Sequence, residues 1–79
     1  MNNSDESLIN AVSKNLDKFF KMHSTHAPES GLHERFMSEI EKILIQKTLD
    51  YSDNIQTKAS NILGINRNTL RKKIQKLEI

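Results

Sequence analysis

"LGINRNTLRKK", from Leu63 to Lys73, puts one glycine and one asparagine directly ahead of a segment with four cations in seven residues. A glycine can adopt the left-handed backbone that closes a helix. An asparagine two residues later can cap the free N–H groups of the next helix. The stretch therefore predicts two short helices joined by a tight turn, a helix-turn-helix in which the second helix enters the DNA major groove.

Helical patterns flank this turn on both sides. Residues 56–63 form the first short helix, which Asp53 or Asn54 is placed to cap. Its inward-facing residues are predicted to be Ala59, Ile62 and Leu63. The second helix begins at Asn66, and its apolar stripe at i, i+4 and i+7 consists of Leu70, Ile74 and Leu77. Lys73 shares a side with this stripe, so we expect it to extend from the edge of the core.

Two longer helical patterns precede the pair, and the chain needs no strand, so the fold class is all-α with four helices. The first pattern starts behind a cap at Ser4 or Ser7 and ends near His23, with apolar spacing at Leu8, Val12, Leu16, Phe19 and Phe20. The segment "HSTHAPESG" holds the one proline and reads as a loop. The second pattern runs from about Leu32 to Tyr51.

The second long helix is apolar over more than one stripe, so it needs neighbours on two sides. A chain of 79 residues without cysteine has a marginal core, for which association with another chain is the usual remedy. A second copy of the same helix pair is the economical partner. The alternative is that some apolar residues, such as Met37 and Ile45, are simply exposed. The predicted dimer interface comprises Phe19, Phe20, Phe36, Met37, Ile40, Ile43 and Leu44.

The charges of the chain are unevenly distributed. Residues 1–53 carry six Lys/Arg against nine Asp/Glu, whereas residues 54–79 carry six Lys/Arg against Glu78 alone. A basic third behind an acidic body indicates that one end of the molecule meets a polyanion, although a solvated charged face would look the same. The basic third coincides with the helix-turn-helix, which favours nucleic acid.

Other kinds of site find little support in the sequence. His23, His26 and His33 lie in or beside one loop without a cysteine, and zinc is the weaker alternative, so they are interpreted as polar loop residues and no metal site is expected. No nucleophile motif or phosphate-binding loop is present, so we expect no enzyme, no cofactor and no small-molecule substrate. Without an apolar run long enough to cross a bilayer or a signal peptide, the chain is expected to be cytoplasmic.

The segment "IQTKASNILGINRNTLRKKIQKL" resembles the C-terminal motif of the Fis family of nucleoid-associated proteins, a motif shared with bacterial enhancer-binding regulators. The resemblance extends over residues 8–79, with "LINAVSKNLDKFF" and "LHERFMSEIEKILIQKTLDY" as the two long helices. It implies one domain over residues 1–79, in which residues 8–53 intertwine into a homodimer and residues 54–79 form the helix-turn-helix. The initial Met and the missing ATPase module favour a free-standing protein.

The resemblance also implies how DNA is bound. The recognition helices of the two protomers lie closer than one DNA turn, so the duplex must bend, with weak specificity that favours AT-rich centres. The implied base contacts are Asn66, Arg67 and Lys72. The implied phosphate contacts are Thr57, Lys58, Thr69, Arg71, Lys73 and Lys76. The protein would then act as a nucleoid-associated transcriptional regulator.

The chain departs from the family pattern at several positions. Asn54 and Ile55 stand where the family usually has Gly-Asn, which removes a phosphate contact at Ile55 unless Asn54 supplies it. Gln75 replaces a lysine, and Ile43 replaces a proline that would kink the long helix. Only seven residues precede the predicted first helix. The arm that activates DNA invertases is therefore expected to be missing.

Two other functions stay open on the sequence alone. One is a dimeric repressor or activator with stricter site preference. The other is a helical interaction module whose basic helix docks on an acidic protein partner. The sequence does not identify the target genes or the preferred site.

Overall fold

The computed structural model describes the backbone of residues 3–79 and the side chains of residues 7–79. Its four helices are α1 (Asn3–Met22), α2 (Leu32–Tyr51), α3 (Gln56–Leu63) and α4 (Arg67–Lys76). The predicted all-α class is confirmed, and within the described residues no strand occurs. The chain divides into two compact units, one that ends at Ser30 and one that spans Gly31–Ile79. No helix in the described range is long and apolar enough to cross a membrane.

The first unit contains α1, which begins earlier than predicted. Because the helix starts at Asn3, Ser7 lies inside it and is not its cap; the side chain of Ser4 lies outside the described residues. Near the C-terminus of α1, the rings of Phe19 and Phe20 pack edge to face, with their centroids 5.3 Å apart. The Nδ1 atom of His23 lies 2.8 Å from the carbonyl oxygen of Phe19, which accepts a hydrogen bond from it and so gains a partner at the helix end.

The second unit is built on one face of α2. Gly31, with a φ of 88°, precedes the helix in the left-handed conformation. The C-terminal half of α2 buries Ile45, Thr48 and Leu49. The Thr48 hydroxyl donates a 2.8 Å hydrogen bond to the carbonyl oxygen of Leu44, so its polar atom is satisfied within the helix.

The core of this unit joins α2 to the two short helices. Ile45 and Leu49 of α2 pack with Ala59 of α3 and Leu70 of α4, and both Ala59 and Leu70 are completely buried. Half-buried apolar residues surround this cluster: Leu63, Ile65, Ile74, Leu77 and Ile79. The predicted stripe of α4 is confirmed as its inward face. Small side chains at Ala59 and Ser60, both buried, let α3 approach its neighbours closely.

Three helices end in the same way. Asp53, Gly64 and Glu78 follow α2, α3 and α4 with φ values of 54°, 71° and 56°. After α3, the N–H of Ile65 donates to the carbonyl oxygen of Ser60 at 3.1 Å, and equivalent bonds run from Asn54 to Leu49 and from Ile79 to Ile74. These are Schellman closures, which give partners to the last carbonyl groups of each helix. The glycine predicted to close α3 does so.

Two predictions about α3 are wrong. Neither Asp53 nor Asn54 caps the helix, because both adopt left-handed backbone that completes the end of α2, and Ile55 occupies the N-cap without a side-chain hydrogen bond. Ile62 does not face inward either, since 57% of its surface is exposed. The contact face of this short helix is taken by Ala59, Ser60 and Leu63, which leaves Ile62 on its flank.

Candidate nucleic-acid interface

The start of α4 is fixed by its asparagine. Asn66 holds the extended conformation of an N-cap, with φ −64° and ψ 143°. Its side-chain Oδ1 accepts a 2.7 Å hydrogen bond from the backbone N–H of Asn68, as predicted. Because Oδ1 already accepts this hydrogen bond, a paired contact of Asn66 with adenine would share the oxygen through its second lone pair, and the Nδ2 donors stay free for it.

The cations of α4 are arranged around its buried residue, Leu70. At about 100° per residue, Lys72 points roughly 160° away from Leu70, and Arg71 points roughly 100° away. Both are exposed, as are Arg67 and Lys76. The outer face of the helix is therefore cationic while its inner face is apolar.

A cleft of about 340 Å³ lies between the beginnings of α3 and α4. It is lined by Gln56 and Thr57 from α3 and by Arg67, Asn68 and Arg71 from α4. The first N–H groups of a helix carry partial positive charge, and here two helix starts and two guanidinium groups surround one concavity. Such a cleft suits an anionic oxygen group of the size of a phosphate.

The N-terminus of α3 lacks the cap that α4 has. Ile55 stands at this position, 42% exposed, and it has no polar atom in its side chain. The first N–H groups of α3 therefore receive no side-chain hydrogen bond from the N-cap residue and are left to solvent or to a ligand. Asn54, with a φ of 63°, lies at the end of α2, and its backbone N–H bonds to the carbonyl oxygen of Leu49 at 2.8 Å.

Three of the nine residues predicted to contact DNA share the cleft: Thr57, Arg67 and Arg71. Five more are exposed but do not line it: Lys58, Asn66, Thr69, Lys72 and Lys76. Lys73 is the exception. It is half-buried, and its Nζ atom lies 3.0 Å from Oε2 of Glu41 on α2.

Two polar residues of the cleft, Gln56 and Asn68, were not among the predicted contacts. Each stands in the first turn of its helix, next to a residue that was predicted. Side chains in the first turn of a recognition helix reach furthest towards a ligand at its N-terminus. Their position relative to the helix starts was the signal that would have identified them.

Comparisons with known proteins agree with this architecture. The sequence profile described as "Bacterial regulatory protein, Fis family" matches residues 36–77. The DNA-binding transcriptional regulator NtrC of Azospirillum brasilense is 43% identical over 74 residues, which cover 94% of this chain and 15% of that protein. The chain thus spans only a small part of the length of such relatives. No solved structure matched the chain.

Shorter relatives match over most of their own length. The putative Fis-like DNA-binding protein of Pseudomonas aeruginosa is 32% identical over 94% of this chain and 70% of that protein. The DNA-binding protein Fis of Buchnera aphidicola is 36% identical over 94% of this chain and 74% of that protein. Together with the profile match across α2, α3 and α4, these similarities show that the chain belongs to the Fis family of bacterial regulatory proteins.

Proposed function

We propose that this chain binds double-stranded DNA through α3 and α4; NtrC of Azospirillum brasilense and Fis of Buchnera aphidicola, which it resembles, are both DNA-binding proteins. The observation that carries the proposal is the cationic cleft at the two helix starts. Among the described side chains, the pair of Glu41 and Lys73 is the sole ion pair within 4 Å, so Arg67, Arg71, Lys72 and Lys76 have no acidic partner there. Cations without intramolecular partners on one helix face are suited to phosphate groups.

In this proposal Arg67 and Lys72 contact base edges, and Asn66 does so while its Oδ1 also caps α4. The remaining exposed residues contact phosphates: Thr57, Lys58, Thr69, Arg71 and Lys76. An arginine at the start of α4 suits the paired acceptors of guanine, whereas lysines further along the helix act as point charges. Most of the affinity is therefore electrostatic, and sequence preference is weak.

The chain acts as a homodimer in this proposal, because α2 keeps a second apolar face. Met37, Ile40, Ile43 and Leu44 are each between 41% and 53% exposed, and Phe36 is half-buried. A groove of about 400 Å³ runs between Met37, Ile40 and Leu44. A contiguous exposed apolar patch of this kind marks an interaction surface. Phe19 and Phe20 of α1, the second of which is 50% exposed, are proposed as interface residues as well.

DNA bending and a preference for AT-rich sites follow, in this proposal, from the presence of two recognition helices in one dimer. As the family resemblance implies, they lie closer than one DNA turn, so both engage the duplex only where it bends. AT-rich centres with a compressible minor groove are then favoured. The protein would act on the nucleoid as an architectural regulator of transcription.

Binding to a 30-base-pair duplex, followed by fluorescence anisotropy at several salt concentrations, tests the DNA proposal. We expect the affinity to fall as salt rises, with a log–log slope of several units, because each phosphate neutralised releases about 0.9 counterion. Arg67→Ala should weaken binding by about 1–3 kcal/mol and blur base preference, and Lys76→Ala should weaken all duplexes alike. A flat response to duplex at physiological salt would instead favour a module that docks on an acidic protein.

Sedimentation of Ile40→Asp tests the dimer, with Ile62→Asp as the matched control. Both isoleucines are exposed in the single chain, but Ile62 lies on α3, away from the proposed interface. A buried charge without a partner is costly, so Ile40→Asp should give monomers while Ile62→Asp stays dimeric. A wild-type chain that sediments as a stable monomer would refute the interface.

DNA bending is tested by gel mobility of the complex, with the binding site placed at different positions along a DNA fragment of constant length.

A further inference from the structure

Lys73 of α4 and Glu41 of α2 form an ion pair across the edge of the core. The Nζ atom of Lys73 lies 3.0 Å from Oε2 of Glu41, and the side chains are 34% and 41% exposed. The two residues are 32 positions apart in sequence. Their contact therefore joins α2 to α4, which are separated along the chain by α3 and by the turns on either side of it. It is the direct polar link between α2 and the recognition helix among the described residues.

The position of Lys73 on its helix differs from that of the other two lysines of α4, while Arg67 lies at a similar angle on the opposite flank of Leu70 and is exposed. At about 100° per residue it lies roughly 60° from the buried Leu70, whereas Lys72 lies roughly 160° away and Lys76 roughly 120°. Glu41 in turn lies one helical turn before Ile45, on the face of α2 that packs against α4. The stem of Lys73 thus follows the core while its ammonium group is turned towards α2.

We propose that Lys73 is a positioning residue: it holds α4 on α2 through Glu41 and does not neutralise a DNA phosphate. This inference rests on the proposed DNA binding and differs from what the family resemblance implies for Lys73. An ammonium group that faces α2 would have to leave its carboxylate to reach a phosphate on the outer side of α4. The pair instead fixes how Arg67, at the start of α4, and Lys72, on its outer face, are presented to a duplex.

Two lysines of α4 make a matched comparison. Lys73→Met and Lys76→Met each remove one charge and keep an unbranched apolar stem of similar length. Binding of the full chain to a 30-base-pair duplex is measured between about 50 and 200 mM salt, where counterion release dominates. We expect Lys76→Met to reduce the log–log salt slope by about 0.9, as for a lost phosphate contact. Lys73→Met should weaken binding severalfold at every salt concentration and leave the slope unchanged.

The ion pair itself is tested without DNA. Thermal unfolding is compared for Glu41→Gln, Lys73→Met and the double variant. A half-exposed pair contributes little, so each single change should lower Tm by about 2–4 °C. The double variant should lose no more than one single variant, because the second change removes a partner that is already missing.

Three results would overturn the inference. A slope reduced by about 0.9 in Lys73→Met, together with tighter DNA binding by Glu41→Gln, would mean that Glu41 competes with a phosphate for Lys73. Additive Tm losses would mean that the two side chains do not interact. A wild-type chain that ignores duplex would refute the proposed function as well, whereas additive Tm losses with normal DNA binding would refute only the positioning role.

Discussion

The two apolar faces of α2 differ in burial although they carry similar residues. Ile45 is 2% exposed and packs against Ala59 and Leu70, whereas Leu44, the preceding residue, is 53% exposed. One face is covered by the chain's own short helices, and the other keeps its apolar side chains in solvent. The difference shows that the width of the apolar surface of a helix predicts how many packing partners the helix needs. It does not predict which partner covers which face.

Ile45→Ala is expected to have the largest effect and to break the buried face. Removing a fully packed aliphatic side chain leaves a cavity, so the free energy of unfolding should fall by about 2–5 kcal/mol. Urea denaturation followed by circular dichroism measures the loss. It should be the same at low and high protein concentration, because Ile45 contacts only its own chain in this proposal. A loss below about 1 kcal/mol would show that α3 and α4 do not cover this face.

Gly64→Ala tests the turn between α3 and α4, which places α4 against the buried face of α2. A Cβ at Gly64 would meet no atom within 4 Å, so the cost comes only from the left-handed backbone with φ 71°. That strain is about 1–2 kcal/mol for an ordinary residue. Gly64→Asn is the matched control and should cost less, since asparagine tolerates this conformation, as Asn54 does at φ 63°. Equal losses for both variants in thermal unfolding would contradict this explanation.

Leu44→Ala should have the smallest effect on the single chain, because its side chain is already half in solvent. In dilute solution we expect a change of less than about 0.5 kcal/mol. At concentrations where the proposed dimer forms, the same variant should be clearly destabilised relative to wild type, because association and folding are linked. Unfolding measured across a hundredfold range of concentration separates the two regimes. An effect independent of concentration would mean that no second chain covers this face.

Much of the fold follows from local patterns in the sequence. The bounds of α2 and α3, the glycine closure after Leu63 and the cap at Asn66 were predictable because each depends on a few neighbouring residues. The inward face of α4 was predictable for the same reason. These features need only helical periodicity and the conformational preferences of glycine and asparagine.

Other features depend on tertiary contacts that a pattern does not contain. Asp53 and Asn54 are residue types that often cap a helix. Here their backbone N–H groups instead bond to carbonyl oxygens at the end of α2, so neither residue caps α3. Ile62 has helical spacing with Ala59, yet α3 is packed through its small residues. The carboxylate partner of Lys73 is 32 residues away, so no local signal distinguished this lysine from Lys72. The cleft shared by Gln56 and Asn68 also required the relative placement of two helices.

The two Schellman closures between helices have a consequence for the speed of folding. Those after α2 and α3 reverse the chain within a few residues, at positions 52–55 and 64–66, so consecutive helices pack on neighbours that are close in sequence. Helical bodies with such low contact order fold in microseconds to milliseconds. Encounter between two chains depends on concentration and is slower at low abundance. Residues 31–79 should therefore be folded, with the second apolar face of α2 already displayed, before a partner chain arrives.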